Sequence, residues 1–215
     1  MALSEAEMAR MWEHVRRILE GHKAIPLGGG RIDFAFRDRY AHTQRVFHWA
    51  QRLLREEKAG GEAVRCAVIF HDAGYAFPDP VHTHPIHSAR ICRAYLDAAG
   101  FDPGFTAKVC FLIARHSDKK LPPNALTLDQ QVLMDADALD ETGTLSILWD
   151  CMAEGARPRE AQSFEATWRH LQKYTLPLHS QNPMRTRSGQ RFWQEKNALV
   201  ADFMASLQRD LFEGE

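Results

Sequence analysis

Apolar residues recur along most of the chain at intervals of three and four, the spacing that lines one face of an α-helix. Met8, Met11, Trp12, Val15, Ile18 and Leu19 make the first such stripe, opened by the capping-box pattern Ser4-x-x-Glu7 and closed by Gly21. A second predicted helix runs from about Tyr40 to Lys58, with Val46, Phe47, Ala50, Leu53 and Leu54 inward, and stops at Gly60-Gly61. The third, from about Glu62 to His71, is short and apolar nearly all round, the pattern of a buried central helix. A fourth starts near Pro85, a residue suited to a first helical position, and ends at Gly100. The fifth spans Pro103 to Ser117, where Phe105, Val109, Leu112 and Ile113 form a stripe that His116 continues. A sixth covers Leu128 to Asp140. Further helical stretches follow near Leu145–Glu154, Arg159–Tyr174 and Ser188–Phe212; the last carries Phe192, Leu199, Val200, Phe203, Leu207 and Leu211 on one side. No alternating strand pattern competes. The expected fold class is therefore all-α, a single-domain helical bundle over residues 1–215. Its core would be about 38–142, with helix 4–20 and C-terminal helices 145–212 packed on it.

Composition narrows the function more than the fold. Apolar residues make up 45% and charged residues 26% of the 215, an ordinary globular mix. The longest purely apolar run is Ala67-Val68-Ile69-Phe70, far short of the roughly 20 residues of a membrane helix. The first residues are polar and show no signal-peptide pattern, so a cytoplasmic protein without a membrane partner is the expectation. A formal net charge of -1 argues against a nucleic-acid polymer as partner, but a small anionic substrate needs only a local patch. Cys66, Cys92, Cys110 and Cys151 form no CxxC pair and sit in apolar stretches, which suits reduced, buried thiols. Three loops are candidate lids or rims: Gly21–Arg37, Gly74–Thr83 and Pro177–Arg187. The run Gly28-Gly29-Gly30 has neither the Lys-Ser/Thr nor the preceding strand of a phosphate loop and reads as a flexible turn.

The eleven histidines change the picture. His42 lies in the first turn of the second helix. His71 and Asp72 close the buried third, His84 and His87 open the fourth, and His116 closes the fifth. Asp135, Asp137 and Asp140 crowd the end of the sixth. Ends of packed helices converge on a common rim, so five successive helices can bring these groups together. A buried helix that ends in a carboxylate costs several kcal/mol unless a cation or hydrogen-bond donors compensate. Imidazole and carboxylate without thiolate suit Mn, Fe, Co, Ni or Zn. His14, His22, His48, His82, His170 and His179 have no such pattern and read as surface or packing residues.

Five segments in order resemble the HD superfamily of metal-dependent phosphohydrolases. They are Asp38-x-x-x-His42-x-x-Arg45-Val46, Ala67-Val68-Ile69-Phe70-His71-Asp72-Ala73-Gly74, His84-Pro85-x-x-Ser88-Ala89, Ile113-x-x-His116-Ser117 and Asp135-Ala136-Asp137-x-Leu139-Asp140. The resemblance covers about residues 38–142, with a weaker echo at Met184-x-Thr186 of the C-terminal part of stand-alone bacterial HD hydrolases. It implies an HD-type helical bundle that binds one or two divalent ions (Mn, Fe, Co, Ni, Zn or Mg). His42, His71, Asp72 and one aspartate of the sixth helix would be primary ligands; Asp137 fits the family's Ala-Asp-x-Leu frame better than Asp135. A second ion would add His116 and either His84 or His87, with Asp72 bridging.

The family often has Arg or Lys after the sixth-helix aspartate, and Ala138 stands there in this chain. Arg45, Arg115, Lys119 and Lys120 are the alternative cations for a phosphoryl group. Asp72 and His116 would act through the metal, while Asp135 or Asp140 would orient water or move its proton. The implied reaction is hydrolysis of a phosphoester or phosphoanhydride, in a nucleotide or similar small phosphorylated metabolite, by a monomer or homodimer. Two other readings stay open: a di-iron oxygenase or hydratase on the same scaffold, and a non-catalytic nucleotide-binding regulatory module.

Overall fold

The computed structural model describes residues 3–20, 38–77, 80–118, 120–159 and 162–212. The loop 21–37, with its glycine run and His22, lies outside them, as does Lys119. Among the described residues every regular element is helical, as the periodicity predicts, and none of the helices is long and apolar enough to cross a membrane. The chain divides into two compact units, residues 1–137 and 138–215.

In the first unit, α1 (Glu5–Leu19) starts at the expected box: Ser4 Oγ accepts from the Glu7 backbone, and the Glu7 carboxylate accepts from the Ser4 backbone. Met11, Val15 and Leu19 are its buried stripe. Helix α2 (Arg39–Glu56) is capped by Asp38, whose carboxylate accepts from the N–H groups of Tyr40 and Ala41. Its inward face, Val46, Phe47, Ala50, Leu53 and Leu54, is the predicted one. Helix α3 (Glu62–Phe70) is the hub, with Val64, Cys66, Ala67, Val68, Ile69 and Phe70 all without solvent exposure. Each large aliphatic or aromatic side chain so enclosed contributes about 1.5–3 kcal/mol of transfer free energy. That burial holds the end of α3, and with it His71 and Asp72, in one place.

After a tight turn at Ala73–Ala76, α4 runs over Pro80–Ala98 and α5 over Pro103–Arg115, the latter capped by Asp102 with Pro103 at its first position. Helix α4 starts about five residues before the predicted boundary, so Pro85 lies inside it. Proline removes one backbone hydrogen bond there. The extra turn survives because it packs on the Ala73–Ala76 turn, where Gly74 N–H donates to Ser88 Oγ at 2.8 Å. Gly74 has to be glycine: a Cβ there would run into the His84 carbonyl oxygen and come within 2.8 Å of the Ser88 nitrogen. The predicted loop Gly74–Thr83 is thus partly helical. Helix α6 (Leu128–Asp140) brings Asp137 to the end of the first unit.

The second unit holds α7 (Thr144–Gly155), α8 (Phe164–His170), α9 (Leu176–Leu178) and α10 (Arg187–Phe212). The predicted helix Arg159–Tyr174 begins later, at the Ser163 cap, and passes through a π-helical turn at Leu171–Thr175 into α9. Ile147, Leu171, Val200 and Met204 form this unit's core. His179, expected to be a surface or packing residue, is buried and ties two turns together. Its Nδ1–H donates to the Thr175 carbonyl at 2.7 Å, and its Nε2 accepts from Gly143 N–H at 3.0 Å.

Candidate metal centre

Six of the predicted groups meet in the first unit: His42, His71, Asp72, His84, His116 and Asp137. Asp72 sits at their middle and its two oxygens face different neighbours. Toward Oδ1 point the Nε2 atoms of His84 at 3.5 Å, His71 at 3.6 Å and His116 at 3.8 Å. Toward Oδ2 point Arg39 Nη1 at 2.9 Å and His42 Nε2 at 3.5 Å. Asp137 Oδ1 lies 3.3 Å from His42 Nε2 and 3.8 Å from His71 Nε2. Two triads, His42–His71–Asp137 and His71–Asp72–His116, each keep their ligand atoms within 4.8 Å of one another, close enough to share an ion.

Local backbone geometry aims the imidazoles. His71 and His116 each follow the last residue of a helix, and each turns Nδ1 back to the carbonyl three residues before it. These bonds are His71 to Val68 at 2.8 Å and His116 to Ile113 at 2.7 Å. A carbonyl only accepts, so Nδ1 carries a proton, and a neutral ring, the form a metal requires, would present its Nε2 lone pair to the cluster. His71 Nε2 is fully buried and has no hydrogen-bond partner. A lone pair aimed at two carboxylate oxygens repels them unless a cation lies between. That arrangement fits a divalent metal, with the backbone carbonyl as the outer partner that metal-bound histidines ordinarily have.

The electrostatics agree. Burial opposes ionisation of Asp72, but in the metal-free site positive charge on His71, Arg39 and His42 outweighs it and holds the carboxyl below the ordinary range. Burial likewise opposes ionisation of Asp137; the hydrogen bond from His42 and the field of His71 keep that group ionised. His116 is pushed the other way: burial, then neighbouring His71, lower its pKa and favour the neutral imidazole that a metal requires.

Other predicted residues stand elsewhere. His87, the rival of His84, stacks on Phe77 with ring centroids 4.5 Å apart, while His84 Nε2 contacts His116 Nε2 at 3.3 Å. Asp135 is buried but two positions from Asp137, about 200° around the helix axis, so it points to another side. Asp140 is buried and belongs to the second unit. Arg45, Arg115 and Lys120 are exposed, and Arg115 pairs with Asp118.

Arg39 and Tyr75 were not among the predicted site residues. The Arg39 guanidinium lies over the Tyr75 ring at 3.9 Å, and the same ring packs against His84 at 4.4 Å. Arg39 stands three residues before His42, on the same face of α2, and that spacing was the available signal. Ser117 is also close, its Oγ 3.3 Å from His116 Nε2.

The profile of the HD domain matches residues 39–142, a span that runs from Arg39 through all six clustered groups. Residues 39–142 form an HD domain. Solved structures agree on the fold across nearly the whole chain. An HD-superfamily hydrolase from Bacillus thuringiensis is 16% identical, covers 98% of this chain and 99% of its own, and has a TM-score of 0.70. A predicted HD-superfamily hydrolase from an uncultured Thermotogales bacterium is 18% identical, covers 94% and 91%, and has a TM-score of 0.63. Bacillus subtilis YpgQ in complex with ADP is 20% identical, covers 95% of each chain, and has a TM-score of 0.66. No curated protein matches the sequence. At these identities the likeness is one of fold.

Proposed function

We propose that this HD-domain protein is a metal-dependent phosphohydrolase acting on a nucleotide or similar small phosphorylated metabolite. The observation that carries the reading is the division of Asp72. Its Oδ2, with His42 and Asp137, would face one divalent ion, and its Oδ1, with His84 and His116, a second, while His71 stands near both sets. Held by these residues, the ions would supply Lewis acidity toward water and the phosphoryl oxygens. Everything else falls to side chains. The carbonyls of Val68 and Ile113 hold His71 and His116 in the tautomer that leaves Nε2 free to ligate. Arg39 keeps Asp72 ionised and in its rotamer.

Phosphate recognition falls to cations of this unit. Ala138 leaves the family's usual position without one. Exposed Arg45, on the helix of His42, and Arg115 and Lys120, beside His116, supply positive charge instead, together with Lys119 in sequence. The structural likeness to YpgQ, which was solved with ADP, supports a nucleotide among the candidates. The test is hydrolysis of a panel of nucleoside mono-, di- and triphosphates and generic phosphodiesters with Mn, Co, Ni, Zn, Fe and Mg supplied in turn. Turnover that appears only with added metal and vanishes in His71→Ala is expected. Activity that persists fully in that variant or in chelator would contradict the reading. The same six ligands also suit a di-iron centre, and iron content together with O2 consumption separates the two chemistries.

A further inference from the structure

The edge of the metal centre carries a hydroxyl to which the proposed reaction assigns no part. Ser117 follows His116 just beyond α5 and is exposed, while His84, His116 and Asp72 beside it are buried. A turn holds it there: Asp118 N–H donates to the Arg115 carbonyl at 3.1 Å, and the side chains of Arg115 and Asp118 pair. Ser117 Oγ lies 3.3 Å from His116 Nε2 and 3.5 Å from His84 Nε2, and those two nitrogens are 3.3 Å apart.

Three polar atoms in a triangle of this size satisfy one another poorly. His116 gives its Nδ1 proton to the Ile113 carbonyl, so Nε2 of the neutral ring only accepts, and one hydroxyl proton serves one side of the triangle. A cation among the three would serve them all. Asp72 Oδ1 completes the set, 3.5 Å from His84 Nε2 and 3.8 Å from His116 Nε2. Four ligands arranged about an ion at bond lengths of about 2.0–2.1 Å stand about 3.3–3.4 Å from one another. The separations in this set lie at or slightly above that spacing. Two imidazole nitrogens, a carboxylate oxygen and a hydroxyl oxygen are donors that Mn, Co or Zn accepts.

We propose that Ser117 Oγ is a direct ligand of the second ion, the one that faces Asp72 Oδ1, His84 and His116. The inference rests on the two-ion reading of Asp72. The hydroxyl binds through an oxygen lone pair and keeps its proton. A neutral fourth donor tightens the site without adding the negative charge that another carboxylate would bring, so the ion keeps its pull on phosphoryl oxygens.

Two substitutions at this exposed position test the ligation without an activity assay. In calorimetric titration of the metal-free chain with Mn, Ser117→Ala should weaken the step that depends on His84 about tenfold and leave the other within about twofold of wild type. Ser117→Cys loaded with Co should show a sulfur-to-cobalt charge-transfer absorption that the wild-type chain, with its own four cysteines, does not give. A wild-type chain that binds no Mn would sink the metal-dependent reading itself. Mn binding that is the same in Ser117→Ala as in wild type, or bound Co without the new absorption in Ser117→Cys, would leave that reading standing and overturn the role of Ser117.

Discussion

Arg39 Nη1 stands 2.9 Å from Asp72 Oδ2, on the carboxylate whose other oxygen faces three imidazoles. Both side chains are nearly enclosed, and the guanidinium is pinned over Tyr75. A buried carboxylate that loses one partner keeps its desolvation cost. Arg39→Ala should therefore lower the stability of the chelator-treated protein by about 3 kcal/mol. Arg39→Lys should recover part of this, since an ammonium can pair with Asp72 but cannot stack flat on the ring. Added Mn should narrow the gap, because a bound cation compensates the same charge. Thermal denaturation with chelator and with Mn checks both points; equal stability of Arg39→Ala and wild type in chelator would show that the histidines suffice.

How much of this was legible in the sequence depends on what each residue answers to. His42, His71, Asp72, His116 and Asp137 were legible because helical periodicity places each at a helix end, and packed helices bring such ends together. Pro85 was misread because local propensity assigned it to a first turn, whereas packing of the preceding turn on Gly74 decides the boundary. The choice between His84 and His87 could not be made from spacing alone. Both lie at the start of α4, and only the path of the Ala73–Ala76 turn shows that His84 faces Asp72 while His87 faces Phe77. Arg39 was hidden for another reason: a cation at a helix start reads as solvated until the partner carboxylate is known. Arg45, Arg115 and Lys120 were legible only as cations near the ligands in sequence; they are exposed, and their role rests on the substrate.

The division between those two histidines is itself testable. His84→Ala should remove the weaker of two Mn-binding steps in calorimetric titration, while His87→Ala should leave both steps within about twofold of wild type. Equal effects from both substitutions would show that the second set of ligands is not the one formed by Asp72 Oδ1, His84 and His116.

Gly74→Ala should act on the same step from a distance. Its Cβ would press on the backbone of His84 and Ser88, which cannot yield as a flexible side chain would. Displacing the start of α4 should cost about 1–3 kcal/mol, the usual range for overpacking. It should also weaken the metal step that depends on His84 more than the one that depends on His42. Calorimetry of unfolding and of Mn binding reads the two effects separately.

Acid should destabilise the metal-free chain in two stages. His116 has a folded pKa below its ordinary 6.5, so the unfolded chain takes up the proton first. Its contribution is complete above about pH 6.5 and is lost as pH falls through that value toward the folded pKa. Asp72 and Asp137 are also depressed, and their contribution is lost later, as pH falls below the ordinary carboxylate value of 3.8. Each proton taken up on unfolding contributes a slope of about 1.4 kcal/mol per pH unit. Urea unfolding between pH 2 and pH 8 should show stability rising with pH through both stages, and His116→Asn should flatten the upper one.

The most direct measurement is the number of ions held per chain. Apo protein equilibrated with excess Mn, freed of unbound metal and counted by elemental analysis, should retain one to two ions. His71→Ala, which removes the ligand shared by both triads, should retain fewer than half as many while staying folded. A wild-type chain that retains no divalent ion, or a His71→Ala chain that retains as many as wild type, would contradict a metal centre built on His71 and Asp72.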